Sequence, residues 1–76
     1  MIEKMRKHQR KAFERAIRLL QRNKNKRALA TGMVYSWDLR DCDEALDLIR
    51  AMHTIRYVDD AMLETAEKLH AQVIKR

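Results

Sequence analysis

Proline is absent from this chain of 76 residues, glycine occurs only at Gly32, and cysteine occurs only at Cys42. So few turn-forming residues exclude a turn-rich β fold and favour helices. A single cysteine excludes an internal disulfide and is typical of a reducing compartment. Apolar runs are too short for a membrane span and charges begin at Glu3, so we expect a cytoplasmic protein without a secretory signal.

Acidic residues are scarce in the first third of the sequence. Residues 1–27 contain eleven lysines and arginines and two acids, Glu3 and Glu14, which gives a net charge of +9. Residues 28–76 contain six lysines and arginines and nine acids, which gives a net charge of −3. No repeat, low-complexity tract or linker separates the two parts, so we expect a single helical domain over residues 1–76. A domain of this size buries only about 60% of the surface of its unfolded chain, so a partner would add stability.

Hydrophobic residues recur at helical spacing from the start of the chain. A helix from about residue 3 to residue 23 is predicted, with one apolar face towards the core. That face consists of Ile2, Met5, Ala12, Phe13, Ala16, Leu19 and Leu20. Asn23 and Asn25 suit a helix end, and Leu29 would fall on the wrong side of a longer helix, so the sequence predicts a break between residues 23 and 27. The letters RNKNKR then form a turn.

A connector separates the first helix from the second. Met33 to Trp37 fit either a short strand or a helical turn, and Gly32 marks a boundary, so we expect a packed connector. Asp41 and Glu44 have the spacing of a capping box, which predicts the start of the second helix. The apolar face expected for this helix consists of Cys42, Ala45, Leu48, Ile49, Met52 and Ile55.

The third helix is predicted to start at Asp59 and Asp60 and to end near Lys75 and Arg76, because these charges suit the helix dipole. Its inward residues are predicted to be Met62, Ala66, Leu69 and Val73. Three helices with short connections predict an all-α fold, a small three-helix bundle with a long basic N-terminal helix.

Six cations share one outward side of the first helix, within about 80° of one another and almost opposite its apolar face. This basic stripe consists of Lys4, Lys7, Lys11, Arg15, Arg18 and Arg22. Neighbouring like charges repel by a few tenths of a kcal/mol, and cations at the start of a helix oppose its dipole. The basic residues of this helix therefore lower its stability at several positions. Residues that lower stability without a visible local compensation indicate a functional site. We expect the basic stripe, with Lys24, Lys26 and Arg27 of the following turn, to bind an external anion.

Two classes of function fit such a surface. The first is a non-enzymatic regulator that contacts the phosphate backbone of DNA or RNA, or nucleic-acid-handling machinery, through the first helix. The second is a protein-only adaptor or inhibitor, in which the basic stripe or Met33–Trp37 docks on a partner protein. A lipid surface is disfavoured because the apolar face is needed for the core. Leftover apolar surface predicts a homodimer or a tight hetero-complex.

Two known DNA-binding arrangements fit the element lengths but not the charges. In a helix-turn-helix the third helix would be the recognition helix, and in a ribbon-helix-helix residues 32–37 would be the strand. Both arrangements place Asp59 and Asp60 where phosphates should lie, so each stays a minor alternative. Tyr35, Trp37 and Tyr57 are expected in the core rather than on bases, because they are not interleaved with the basic stripe.

Candidate catalytic and metal-binding residues are few. Glu67 and His70 have the spacing of carboxylate-bridged metal sites, which require a second such motif and further inward carboxylates. A homodimer could supply the second copy, but Glu67 lies off the inward face that Leu69 and Val73 define, so a metal site is disfavoured. His53 is expected to pack with a hydrogen bond, and Cys42 stands among acids that oppose thiolate formation. Without a Gly-rich phosphate loop or a spaced Ser/His/Asp set, the sequence predicts no enzyme, no metal and no cofactor.

Overall fold

The structure is a computed structural model that describes residues 5–28 and 35–74. Within these two stretches the chain forms three helices: α1 (Lys7–Ala28), α2 (Ser36–Thr54) and α3 (Asp60–Ile74). Each helix contacts the other two, which makes a three-helix bundle. The all-α fold expected from the sequence is therefore confirmed. The predictions that concern Ile2, Glu3, Lys4, Leu29, Gly32, Met33, Val34, Lys75 and Arg76 lie outside the described residues.

The core lies where the apolar faces of the three helices meet. Its buried residues are Ala16, Leu20, Cys42, Ala45, Leu46, Ile49, Met52, Val58, Ala66, Leu69 and Val73. Met5, Ala12, Phe13, Ile17 and Leu19 of the α1 side pack against them while partly exposed. The apolar periodicity of 3.6 residues thus located the inward side of all three helices.

The apolar faces predicted for the second and third helices were wrong at their edges. Leu48, Ile55 and Met62 were expected to face inward and are exposed, whereas Leu46 is buried and Leu63 packs against the core. The apolar arc of α2 is wider than the surface its two neighbours cover. Only the position of those neighbours decides which edge of the arc is buried, and periodicity within one helix does not contain that information.

The predicted break of the first helix between residues 23 and 27 was also wrong, because α1 continues to Ala28. The side-chain amide of Asn23 donates to the backbone oxygen of Leu19 at 3.0 Å, and that of Gln21 donates to Oδ1 of Asn25 at 3.3 Å. Both asparagines bond along the helix instead of ending it. Asn23 is only 5% exposed, so packing outweighs its weak helix propensity.

Helix α1 also begins later than predicted, at Lys7 rather than near residue 3. Met5 and Arg6 are described and lie outside the helix. The backbone N–H of Arg6 donates to Oε1 of Gln9 at 2.9 Å, which is half of a capping box with Arg6 at the cap position. This contact accounts for a start at Lys7.

Helix α2 begins five residues before the predicted capping box at Asp41 and Glu44, which lie inside the helix. Tyr35 is the residue before the first turn, and its backbone N–H donates to Oδ2 of Asp38 at 2.9 Å. Asp38 therefore does what Glu44 was expected to do. Ser36 and Trp37 are helical, so they do not form the strand that a ribbon-helix-helix requires.

The turn between α2 and α3 is short and hydrogen-bonded. Arg56 has a φ of 66°, and the N–H groups of Arg56 and Tyr57 donate to the carbonyls of His53 and Met52 at 3.0 and 2.8 Å. This is a Schellman motif with arginine where glycine is usual. Asp59 then accepts the backbone N–H of Met62 at 2.8 Å, which caps α3 at the position predicted from the sequence.

Candidate nucleic-acid interface

Five residues of the basic stripe lie within the described part of α1 and all five are exposed. They are Lys7, Lys11, Arg15, Arg18 and Arg22. They occupy the side of the helix opposite the buried Ala16 and Leu20. At a rise of about 1.5 Å per residue, the row from Lys7 to Arg22 is about 22 Å long.

None of these five cations forms an ion pair with another described residue. The ion pairs in residues 5–28 and 35–74 are Lys26–Asp38, Arg50–Glu67, Lys68–Glu64, His53–Asp60 and His70–Asp43. Glu14 is the one acid between residues 7 and 28 of the sequence. The repulsion between like charges along α1 is therefore not relieved by carboxylates of the described chain.

At Arg15 the basic stripe borders acidic residues of α2. A shallow groove between α1 and α2 has Arg15 on one rim and Asp41 and Glu44 on the other, with Leu19 and Leu48 between them. The acids are near enough to share the groove but do not pair with Arg15. This face of the bundle thus carries charges of both signs around an apolar floor.

Lys24, Lys26 and Arg27 were expected in a turn and instead lie in the last two turns of α1. Lys24 is half-buried and Arg27 is exposed. The ammonium group of Lys26 lies 3.3 Å from Oδ2 of Asp38 and 5.7 Å from the centre of the Tyr35 ring. Lys26 therefore joins the end of α1 to the start of α2.

The carboxylate of Asp38 contacts both the backbone N–H of Tyr35 and the ammonium group of Lys26. The hydrogen bond from the backbone N–H of Tyr35, and after it the contact with Lys26, lower the pKa of Asp38 despite some desolvation. The Asp38 side chain is thus charged near neutral pH and fixed at the start of α2.

Two of the three aromatic residues expected in the core are exposed. The rings of Tyr35 and Trp37 stack with their centres 4.5 Å apart and their planes within 10°, and Trp37 is 60% exposed. The first turn of α2 extends beyond the core, which starts at Cys42 on this helix. Tyr57 does pack against the core, and the Gln9 amide donates to its hydroxyl at 3.4 Å.

The histidines of α2 and α3 connect these two helices. Nε2 of His53 lies 2.6 Å from Oδ1 of Asp60, and Nε2 of His70 lies 2.6 Å from Oδ1 of Asp43. Glu67, which has metal-ligand spacing to His70, instead accepts a hydrogen bond from Arg50 at 3.2 Å. In the described ranges no three His, Cys, Asp or Glu side chains are grouped to hold a metal ion.

Cys42, which was expected on the apolar face of the second helix, is fully buried in the core. Burial, and in addition the carboxylates of Asp38, Asp43 and Asp41, raise the pKa of its thiol to about 11. The thiol is therefore neutral at physiological pH, and a role as a reactive thiolate is disfavoured.

This raised pKa predicts a loss of stability at alkaline pH. The unfolded chain releases the Cys42 proton near the ordinary value of about 8.5, whereas the folded chain keeps it to about 11. Stability is thus fully present below the unfolded pKa and is lost as the pH rises through the folded pKa. Between these two pKa values, Cys42 should cost the parent up to about 1.4 kcal/mol of unfolding free energy for each pH unit. Cys42→Ala should lack this part of the loss when parent and variant are unfolded in urea at the same pH values. Equal losses in parent and variant would contradict the assignment.

No helix in the described ranges has both the length and the apolarity needed to cross a bilayer. Comparisons of the chain with known protein families, with curated proteins and with solved structures found no match. The interface is therefore argued from its own geometry and charge.

Proposed function

We propose that this chain is a small non-enzymatic, cytoplasmic regulator that binds the phosphate backbone of nucleic acid through the basic stripe, alone or within nucleic-acid-handling machinery. The observation that carries the proposal is the row of five exposed cations along one side of α1, none of them paired with a described carboxylate. A row of cations gains free energy by releasing counterions from a phosphate backbone. Such contacts set position and orientation but read little sequence.

The third helix supports this choice of surface by its charge. Asp59 and Asp60 stand at the start of α3, the end of a helix that would otherwise attract phosphate. Asp59 caps its own helix, Asp60 pairs with His53, and neither forms an ion pair with a cation of the basic stripe. Both carboxylates would therefore repel a phosphate at the start of α3. A recognition role for α3 in a helix-turn-helix is therefore the weaker proposal.

Fluorescence anisotropy of the full chain on two unrelated labelled sequences, each as a duplex and as a single strand, over a series of salt concentrations, tests the proposal. We expect similar affinities for the two sequences. The logarithm of affinity should fall against the logarithm of salt with a slope of about −4 to −5 if all five cations neutralise phosphates. Absence of binding to both duplexes and single strands at low salt, or a flat slope with strong preference for one sequence, would overturn it.

A protein partner is the second candidate, and one observation favours it. Leu48 lines the groove between α1 and α2 and is exposed. Exposed Ile55 follows the last residue of α2, about two helical turns after Leu48, and so lies on the same side as Leu48. The rims of the groove carry Arg15 and the acids Asp41 and Glu44, so two copies related by a two-fold axis would offer each other opposite charges. This supports a homodimer, in line with the small core of the chain.

Changing Leu48 and Ile55 together to Gln should therefore convert a dimer into a monomer without unfolding the bundle, because both side chains are exposed in the single chain. Sedimentation velocity at micromolar concentration measures the mass, and circular dichroism checks the helices. A parent chain that already sediments as a stable monomer would rule out this use of the groove.

A further inference from the structure

Tyr35 and Trp37 form an aromatic pair at the surface, outside the buried core. Trp37 is the most exposed large hydrophobic residue in the described part of the chain, at 60%. Its ring stacks on Tyr35 at 4.5 Å, so two aromatic rings are held parallel at the surface instead of in the core. A tryptophan in this state gives up most of the free energy that burial would provide.

Three contacts hold the aromatic pair in place. The backbone N–H of Tyr35 is bonded to Asp38, the Asp38 carboxylate is paired with Lys26, and the Lys26 ammonium lies over the Tyr35 ring. One cation of α1 therefore fixes both the first turn of α2 and the orientation of the Tyr35 ring. The pair is organised before any ligand arrives, which reduces the entropy lost on binding.

The aromatic pair also lies at one end of the basic stripe. Lys26 follows Arg22 by four residues, so the two cations are neighbours on α1, about 6 Å apart along its axis. The sequence separates the basic stripe from Tyr35 and Trp37, but the contacts of Lys26 bring them together. A row of cations ending at an exposed aromatic platform is the arrangement by which proteins bind single strands.

We propose that the aromatic pair is a stacking platform for an unpaired base, so that the ligand of the basic stripe is a single-stranded nucleic acid. This inference rests on the proposed function and gives it a ligand class. Stacking on Trp37 requires an open base face, and the bases of a duplex are already stacked on their neighbours. Stacking depends little on sequence because every base has an aromatic face. Backbone contacts along α1 also depend little on sequence, so the two kinds of contact can serve the same ligand.

The chain carries its own reporter for this contact, because Trp37 is its only tryptophan. We would titrate the full chain with a thymidine oligonucleotide of about 12 nucleotides, within the known range of site sizes, and with an abasic oligomer of equal length and charge. We expect the thymidine strand to quench Trp37 fluorescence and to bind about 5- to 150-fold more tightly than the abasic strand. A duplex at saturation should leave the fluorescence unchanged.

Trp37→Ala should lower the affinity for the thymidine strand to that of the abasic strand, with no change in the affinity for the abasic strand or in its salt slope. Trp37→Phe, which keeps an aromatic face, should restore most of the loss. Met62→Ala is the matched control, since Met62 is exposed and lies in the first turn of α3, outside both proposed binding surfaces. Circular dichroism of each variant reports whether the helices are intact.

The results separate the two proposals. Steep salt dependence with equal affinity for the thymidine and abasic strands and no quenching would overturn the stacking platform and leave the proposed function standing. No binding of any oligomer at low salt would overturn both. A partner protein could stay bound to the parent after nuclease treatment and fail to bind Trp37→Ala. If the thymidine and abasic strands then bind the parent equally, the aromatic pair is a protein anchor and the inference is wrong.

Discussion

Changing Lys7, Lys11, Arg15 and Arg18 together to Gln should flatten the slope of log affinity against log salt by about three to four units, for duplex or single-stranded ligands. Each of the four cations is exposed and lacks a carboxylate partner among the described residues, so each is available to replace a counterion on phosphate. Affinity at low salt should fall by a similar factor for unrelated sequences, because backbone contacts do not distinguish bases.

The fold should survive these four substitutions. The four positions lie opposite the buried side of α1, and Gln is a good helix former. Removal of like-charge repulsion should even raise the stability of the helix slightly. Circular dichroism and urea unfolding of the variant measure this beside the binding series.

A matched change in acids provides the control for charge. Asp59→Asn with Asp60→Asn alters the net charge at the start of α3 and keeps an asparagine cap there, so the salt slope should stay nearly unchanged. If the quadruple variant binds like the parent, or if neither binds at any salt, the nucleic-acid proposal fails. The basic stripe is then a solvated face or a protein-docking surface.

Leu20→Ala, or Ile49→Ala, should lower the free energy of unfolding by about 2–5 kcal/mol. Both side chains have no exposed surface, and both belong to the buried cluster to which all three helices contribute. Domains are stable by only about 5–15 kcal/mol, and a chain of this size belongs near the lower limit, so one such cavity should remove much of the total. Urea unfolding followed by circular dichroism measures the loss.

The fluorescence of Trp37 is a poor probe of this transition because its ring is exposed in the folded state. Ile74→Ala is the control, because it makes the same chemical change as Ile49→Ala at an exposed site at the end of α3, where the cost should stay within about 0.5 kcal/mol. A cost for Leu20→Ala no larger than for Ile74→Ala would mean that the three helices do not pack around Leu20.

The sequence alone determined the helical class, the inward side of each helix and the outward position of the five described cations of the basic stripe. Leu20, Ile49 and Val73 were all placed correctly, because burial along a helix repeats every 3.6 residues and both apolar and charged residues follow that period. The cap of α3 at Asp59 was also predictable, since its hydrogen bond spans only three residues.

Tertiary structure decided what depends on residues far apart in the chain. Asn23 remains helical because it is packed in the bundle, and local propensity had indicated a helix end. Leu46 rather than Leu48 is buried because neighbouring helices cover only one edge of a wide apolar arc. Lys26 reaches Asp38 and the Tyr35 ring only because α1 continues past the predicted break and packs beside the start of α2. Periodicity acts over one or two turns of a helix, so the meeting of the basic stripe with the aromatic pair exists only in the folded chain.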